Sequence, residues 1–187
     1  MKKEIRDSEV ELIQKCLQGD NKAQFALYHR YAKAMLNVAY RILQDEEAAK
    51  DVLQMAFLKA FHQLDRLRQP KGFGGWLKRI VVNTAIKQLK KKGLQWIPLS
   101  EELMDDQLTA FSEEKPFPID LAQAKAALKT LPTGYRTILS LYLIEGYDHE
   151  EIASILGISV STSLSQYARG KQKWRAIIKK MNTDGSY

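Results

Sequence analysis

YDHEEIASILGISVSTSLSQYARGKQKWRAI, the stretch from Tyr147 to Ile177, decides the fold that this sequence predicts. Asp148 stands three residues before Glu151, which is the spacing of a helix capping box. Apolar residues then recur at helical spacing up to Gly157, where a glycine allows a tight turn. A second helix is predicted to begin near Ser159. Two helices joined by a short glycine turn are typical of a helix-turn-helix.

The second helix of this motif has two contrasting sides. The side predicted to be buried carries Ser163, Tyr167, Gly170, Trp174, Ile177, Ile178 and Met181. The exposed side carries Thr162, Ser165, Arg169, Gln172 and Lys173. In a helix-turn-helix the exposed side enters the major groove of DNA, where Arg pairs with guanine, Gln with adenine, and Ser or Thr with phosphate. Such helix pairs also occur as ordinary packing in helical proteins, so the rest of the chain has to decide.

The rest of the chain also has the apolar spacing of helices, without the sustained alternation that a strand requires. Gly and Pro lie between the periodic segments and divide them into separate helices. In the first half of the chain, one predicted helix spans Glu9–Gln18, with Ser8 as its cap and Gly19 at its end. Asp20 caps a second predicted helix and Asp45 a third, and a fourth, Trp76–Lys92, follows a loop over 64–75. In the second half, the predicted helices are Leu121–Leu131, capped by Asp120, and Tyr135–Glu145, closed by Gly146. The predicted fold class is therefore all-α.

Charge divides the chain into three parts. Residues 1–97 contain 19 Lys and Arg against 10 Asp and Glu, residues 98–120 contain 1 against 7, and residues 121–187 contain 9 against 5. Two basic blocks around an acidic segment predict two nucleic-acid-facing domains joined by a linker that cannot itself approach phosphate. We place these small helical domains at 1–95 and 120–187, with the acidic linker at 96–119.

The predicted helix Trp76–Lys92 carries a polar stripe between two apolar sides. The stripe consists of Trp76, Arg79, Asn83, Lys87 and Lys90. A solvated face is the ordinary explanation of such a stripe. One aromatic ring, one amide and several cations also suit phosphate contact combined with base stacking, and we favour the nucleic-acid interpretation.

Composition argues against several other classes. Cys16 is the only cysteine, so no intramolecular disulfide or multi-cysteine metal site can form, and a lone helical cysteine is usually a small core residue. The three histidines, His29, His62 and His149, supply no pair at ligand spacing. The sequence shows no signal peptide and no apolar run long enough to span a membrane, which predicts a cytoplasmic protein without membrane insertion.

From about Gln18 to Lys179 the sequence resembles the extracytoplasmic-function sigma factors of bacterial RNA polymerase. GDNKAQFALYHRY, residues 19–31, resembles the opening of their region 2, and DEEAAKDVLQMAFLKAF, residues 45–61, resembles their polymerase-binding helix. The resemblance implies that Asp51, Gln54 and Phe57 face the coiled-coil clamp of the polymerase largest subunit. Phe57 could equally be a core residue.

GFGGWLKRIVVNTAIKQLKKK, residues 72–92, resembles the family segment that meets the melted minus-10 promoter element. The resemblance assigns that contact to Phe73, Trp76, Arg79, Asn83, Lys87 and Lys90. Lys87 stands where many members have Asp, and Lys90 where Arg is usual. The loop over 65–73 is implied to surround a flipped base of the non-template strand.

Residues 127–174 resemble region 4, which reads the duplex minus-35 element. The family pattern after the turn is Gly-Thr-Val-Lys-Ser-Arg, whereas residues 161–166 read Ser-Thr-Ser-Leu-Ser-Gln. Thr162, Ser165 and Arg169 match, but Leu164 and Gln166 replace two cations and stay unassigned. Fewer phosphate contacts should lower minus-35 affinity and flatten its salt dependence, with Lys171 and Lys173 compensating in part.

The resemblance implies a sigma factor that promotes transcription initiation without catalysing a reaction. Its implied partners are core RNA polymerase, promoter DNA and an anti-sigma factor, with no cofactor and no small-molecule substrate. An autonomous helix-turn-helix regulator would explain the second domain alone. An enzyme is disfavoured, because the sequence has no phosphate-cradling glycine loop, no acidic pair suited to two metals and no nucleophile beside a base. A module that sequesters a regulator by imitating a sigma factor stays open because of the two lost cations.

Overall fold

The structure, a computed structural model, describes residues 2–93 and 120–184. All regular structure in these two ranges is helical, which confirms the all-α class. The helices are α1 (Lys2–Leu17), α2 (Asn21–Leu43), α3 (Glu46–His62), α4 (Phe73–Lys91), α5 (Leu121–Thr130), α6 (Thr133–Leu143), α7 (His149–Leu156) and α8 (Val160–Asp184). Two short 3-10 turns, Leu64–Arg66 and Pro70–Gly72, lie between α3 and α4.

The chain divides into two compact units, Met1–Lys92 and Gly93–Tyr187. The proposed linker, 96–119, lies outside the described residues, so the three predicted domain limits stay a prediction. We describe each unit by itself.

The first unit is built from α2, α3 and α4, which pack against one another in pairs, with α1 lying against α2 and the second 3-10 turn. Its core is apolar and includes Leu27, Ile42, Val52, Leu77 and Val81, all without measurable exposure. Burial of this kind contributes about 1.5–3 kcal/mol for each large aliphatic side chain, so the packing of these three helices fixes the positions of their exposed sides.

Aspartates cap the helices where the sequence predicts them. The Asp20 carboxylate accepts hydrogen bonds from the backbone nitrogens of Lys22 and Ala23, and Asp45 accepts one from Ala48 at 3.0 Å. Each cap satisfies backbone donors that have no partner within the helix. The starts of α2 and α3 are therefore encoded locally.

Three helix starts differ from the prediction, and one of them is α6, which begins at Thr133 rather than at Tyr135. Helix α1 begins at Lys2 rather than at Glu9, so residue 8 lies inside the helix. Helix α4 begins at Phe73 rather than Trp76 and contains Gly74. A Cβ atom at residue 74 would stand 2.9 Å from Cε1 of Tyr31. This glycine therefore allows a close approach between helices, where the sequence suggested a loop.

The second unit packs α5, α6 and α7 against α8. Ala124 and Ala127 of α5 form a buried cluster with Ile178 of α8, and Trp174 packs against it while its Nε1 donates to the carbonyl of Ala124 at 2.9 Å. One side of α8 thus packs into the core of this unit, as predicted.

The helix-turn-helix follows the sequence prediction closely. Asp148 accepts from the Glu151 nitrogen at 2.8 Å, and the Glu151 carboxylate accepts from the Asp148 nitrogen at 3.2 Å. Gly157 ends α7 with φ of 70° and ψ of 44°, a left-handed conformation that costs glycine little. The capping box and the turn glycine together set where α7 begins and ends.

Replacing Asp148 by Ala should lower the free energy of unfolding of the second unit by about 1 kcal/mol, because the first turn of α7 loses its acceptor. The measurement is urea unfolding followed by Trp174 fluorescence, with Trp76 and Trp96 replaced by Phe. Glu150→Ala is the matched control, since it removes the same charge from the same turn. Equal losses in the two variants would show that helix-terminus charge, rather than the cap, is responsible.

Candidate nucleic-acid interface

The polar stripe predicted on α4 is present as one exposed row. Arg79, Asn83, Lys87 and Lys90 are all exposed and Trp76 is half-buried. Their spacing of three and four residues places them on one side of the helix. Within the described residues none of the three cations forms an ion pair. The row is therefore a basic surface with one aromatic ring at its end.

Phe73 does not belong to this row. Its side chain has no measurable exposure, and its ring packs 5.3 Å from Tyr31 and 6.0 Å from Trp76 between centroids. A side chain without exposed surface cannot touch DNA, so we assign Phe73 to the core beneath Trp76. It supports the aromatic end of the stripe.

Tyr31 ties this end of α4 to the other helices. Its hydroxyl donates to the carboxylate of Glu9 in α1, and Glu9 is itself buried. Burial, followed by the hydrogen bond to Glu9, raises the pKa of Tyr31 well above its usual range. Tyr31 therefore stays a donor, and Glu9, Tyr31, Phe73 and Trp76 form a connected series from α1 to the stripe.

The exposed side of α3 is more apolar than predicted. Asp51 and Gln54 are exposed as expected, whereas Phe57 is 3% exposed and packs against Tyr28, with 4.8 Å between ring centroids. Phe57 is thus a core residue. Leu58, 71% exposed, and Met55, 40% exposed, share the side of Asp51 and Gln54 instead. The spacing of three and four residues places these four side chains together, but the sequence does not show which side of α3 faces α2.

Hydroxyl groups organise the start of α8, the second helix of the helix-turn-helix. The Ser159 hydroxyl accepts from the backbone nitrogen of Thr162 at 3.0 Å and shares a hydrogen bond with the Thr162 hydroxyl at 2.8 Å. The Ser165 hydroxyl donates to the carbonyl of Thr162 at 3.1 Å. The Ser159 hydroxyl also bonds the Ser161 hydroxyl at 2.8 Å and has no capacity left, whereas the hydroxyls of Thr162 and Ser165 can each accept a further hydrogen bond.

The later turns of α8 carry the other predicted residues. Gln172 and Lys173 are exposed and Arg169 is half-buried. Lys173 Nζ lies 5.4 Å from the centroid of the Tyr135 ring, an arrangement that holds the cation beside α6. Ser163 is fully buried on the opposite side. All five predicted residues, Thr162, Ser165, Arg169, Gln172 and Lys173, therefore lie away from the buried side of α8.

An aromatic cluster between α6, α7 and α8 was missed in the sequence. The rings of Tyr142 and His149 stack 4.7 Å apart, and Tyr167 lies 4.7 Å from the first and 5.3 Å from the second. His149 Nδ1 is 2.9 Å from the hydroxyl of Ser163. Burial lowers the pKa of His149, with Asp148 opposing that effect in part. A neutral His149 thus joins the two helices of the helix-turn-helix.

In the part of the chain that the structure describes, no helix is long and apolar enough to cross a membrane, and no cluster of three or more His, Cys, Asp or Glu could hold a metal ion. Cys16 is buried, and burial together with Asp20 raises the pKa of its thiol to about 11, which fits the predicted core role.

The fold and these surfaces define the class: a two-unit helical protein of the nucleic-acid-binding kind, with a basic row on one unit and a helix-turn-helix in the other. Family comparison is more specific. Residues 27–95 match Sigma-70 region 2, and residues 121–173 match Sigma-70 region 4. The chain belongs to the sigma-70 family, in its extracytoplasmic-function group.

Individual relatives agree with this assignment. The chain is 28% identical over 165 residues to the ECF RNA polymerase sigma factor SigE of Mycolicibacterium smegmatis, covering 84% of this chain and 62% of that protein. It is 28% identical over 179 residues to the RNA polymerase sigma-H factor of Pseudomonas aeruginosa, covering 89% and 92%. Its fold is like that of the sigma factor RpoE of Bartonella quintana, solved with the anti-sigma factor NepR, at a TM-score of 0.53 and 22% identity, covering 82% of this chain and 95% of that one.

The environment of His149 makes the second unit sensitive to acid. The pKa of His149 is lower in the folded unit than in the unfolded chain. The neutral side chain therefore contributes its full stability above roughly pH 6.5, and this contribution is lost as the pH falls through the pKa of the folded state. We expect His149→Phe, which keeps an aromatic ring between Tyr142 and Tyr167, to flatten this dependence between about pH 7 and 5. Urea unfolding followed by Trp174 fluorescence, with Trp76 and Trp96 replaced by Phe, measures it. His62→Phe in the first unit is the control, and an unchanged slope in His149→Phe would contradict the assignment.

Proposed function

We propose that this chain is a sigma factor, which binds core RNA polymerase, recognises minus-10 and minus-35 promoter elements and promotes transcription initiation in the cytoplasm. One observation carries the proposal: both sigma-70 regions occur in one chain, each with an exposed helix face suited to nucleic acid. Promoter opening then follows from binding energy, so no catalytic residue is required.

In the first unit, the exposed row of α4 would hold the melted minus-10 strand. Trp76 offers a ring for an unstacked base, and each stacked base contributes roughly 1–3 kcal/mol. Arg79 and Asn83 follow on the same side, where they can contact base edges or phosphate, and Lys87 and Lys90 extend the row as phosphate contacts. The connected series Glu9, Tyr31 and Phe73 holds the first turn of α4 in place.

In the second unit, α8 would lie in the major groove of the minus-35 duplex. Arg169 and Gln172 can read guanine and adenine respectively, while Thr162 and Ser165 contact phosphate near the start of the helix. Lys173, held beside Tyr135, would contact the phosphate backbone of the DNA. The aromatic cluster of Tyr142, His149 and Tyr167 would keep α7 and α8 at a fixed angle during this contact.

The exposed side of α3 would bind the polymerase clamp. Asp51 and Gln54 supply polar groups, and Leu58 and Met55 add apolar surface at the same face. A small apolar centre with a polar rim is the usual composition of a protein interface. An anti-sigma factor could occupy such a face, and the Bartonella sigma factor was solved with its anti-sigma factor NepR.

An autonomous helix-turn-helix regulator is not favoured. It would use α7 and α8 but would leave the region 2 match and the row on α4 without a purpose. A sigma factor uses both units, so it accounts for more of the chain.

Run-off transcription tests the proposal directly. Purified core polymerase should produce promoter-dependent transcripts from a pool of promoter fragments only when this protein is present. Arg79→Ala should reduce the yield by about tenfold or more, since charged hydrogen bonds contribute roughly 1.5–3 kcal/mol. Lys22→Ala removes an exposed cation from α2 and should change little. If no transcript formed and the protein did not bind core polymerase, the sigma-factor proposal would be lost.

Leu58→Gln should weaken binding to core polymerase severalfold without lowering the free energy of unfolding, because Leu58 is 71% exposed and adds nothing to the core. Leu17→Gln is the matched control, since Leu17 is 53% exposed on α1 and lies outside the proposed clamp face. Fluorescence anisotropy of the labelled chain against core polymerase gives both affinities. Equal affinities for the two variants would remove Leu58 from the interface.

A further inference from the structure

The first turns of α8 expose two apolar side chains in a row. Val160 and Leu164 are 41% and 42% exposed and stand four residues apart, so they are neighbours on one side of the helix. Single exposed leucines are ordinary on protein surfaces. These two are distinctive because they occupy the N-terminal turns of a recognition helix, the part that meets base edges in a helix-turn-helix.

Their surroundings indicate which partner suits them. Ser161 and Thr162 lie between them, and the Ser159 hydroxyl joins both of those hydroxyls at 2.8 Å. The start of α8 is therefore a hydroxyl-rich surface that can approach phosphate oxygens, with an apolar row beside it. A protein partner that buries a standard interface covers about 800 Å² on each side, far more than two aliphatic side chains provide.

The major groove offers one apolar group large enough to pack against a side chain. Thymine presents a C5-methyl group there, whereas cytosine has only a hydrogen at C5 and the remaining groove-facing groups are hydrogen-bond donors and acceptors. Leu164 has no donor and no acceptor, so it can distinguish bases only through that methyl group. A cation at the same place would instead bind phosphate or guanine.

We propose that Leu164, with Val160 beside it, contacts thymine methyl groups in the minus-35 duplex and makes this sigma factor select thymine at the bases they face. The inference rests on the proposed function and deepens it, because it assigns base specificity to the position where the family pattern has a cation. With leucine in place of that cation, the helix start loses a salt-dependent contribution to affinity and gains a preference for thymine.

The test uses the holoenzyme formed from core polymerase and the full chain. Selection from promoter duplexes with a randomised minus-35 region defines the preferred element, which should contain thymine. Replacing each selected thymidine by deoxyuridine removes only the methyl group and keeps base pairing. In the wild-type holoenzyme, at least one such replacement should raise Kd about three- to fivefold, the loss expected when one methyl contact is removed.

Two variants at the same position make the result specific. The Leu164→Ala holoenzyme should bind two duplexes with equal affinity when they differ only in thymidine or deoxyuridine at the base that Leu164 faces. A double-mutant cycle over the side chain and the methyl group measures the coupling between them. Leu164→Lys should also lose the discrimination while its affinity becomes more salt-dependent, by about one phosphate contact. Leu121→Ala is the control, since Leu121 is 67% exposed on α5 and lies outside the recognition helix, so it should keep the wild-type discrimination.

The possible results distinguish a failure of the thymine contact from a failure of the proposed sigma-factor function. A wild-type holoenzyme that selects no promoter sequence contradicts the proposed function. Normal selection without any effect of deoxyuridine, or the same deoxyuridine effect in Leu164→Ala, overturns the inference and leaves the function intact. Weaker binding of Leu164→Ala to core polymerase in the absence of DNA, with the methyl discrimination retained, would assign this row to a protein contact and overturn it as well.

Discussion

Each helix with a proposed function supplies the core with one side and the binding surface with the other, and this double use is the constraint on which the rest of the structure depends. In α8, Ser163 and Ile178 are fully buried while Leu164 and Gln172 face outward. In α4, Leu77 and Val81 are buried while Arg79 and Asn83 are exposed. The packing that stabilises each unit therefore also sets which atoms are presented to a partner.

Close approach between helices makes this double use possible. Gly74 lets α4 approach Tyr31, and Gly170 lets α8 approach Tyr135, where a Cβ atom would stand 3.1 Å from the Cβ of the tyrosine. Both glycines lie inside helices, where glycine costs about 1 kcal/mol relative to alanine. That cost is offset because a half-buried tyrosine packs against the helix at each crossing. Trp76 and Lys173, one on each helix, pack beside these crossings.

The sequence predicts features that depend on a few neighbouring residues. The caps at Asp20, Asp45 and Asp148 and the turn at Gly157 each follow from local hydrogen bonding or backbone conformation, and the structure confirms them. Features that depend on distant residues were not predictable. Phe57 and Leu58 are adjacent apolar residues, and only the position of α2, with Tyr28 against Phe57, decides which one is buried. The stacking of Tyr142 on His149 likewise needs the tertiary fold.

The two units divide the tasks of affinity and specificity unequally in the proposed function. The row on α4 keeps three exposed cations, whereas the first turns of α8 carry hydroxyls and two apolar side chains. Phosphate contacts give affinity that falls as salt rises, while contacts to base edges discriminate between sequences. The start of α8 is thus suited to reading a duplex that other parts of the holoenzyme already hold nearby. A recognition helix whose first turns carry no cation can then be selective, because binding that depends less on phosphate favours the correct bases over the rest of the genome.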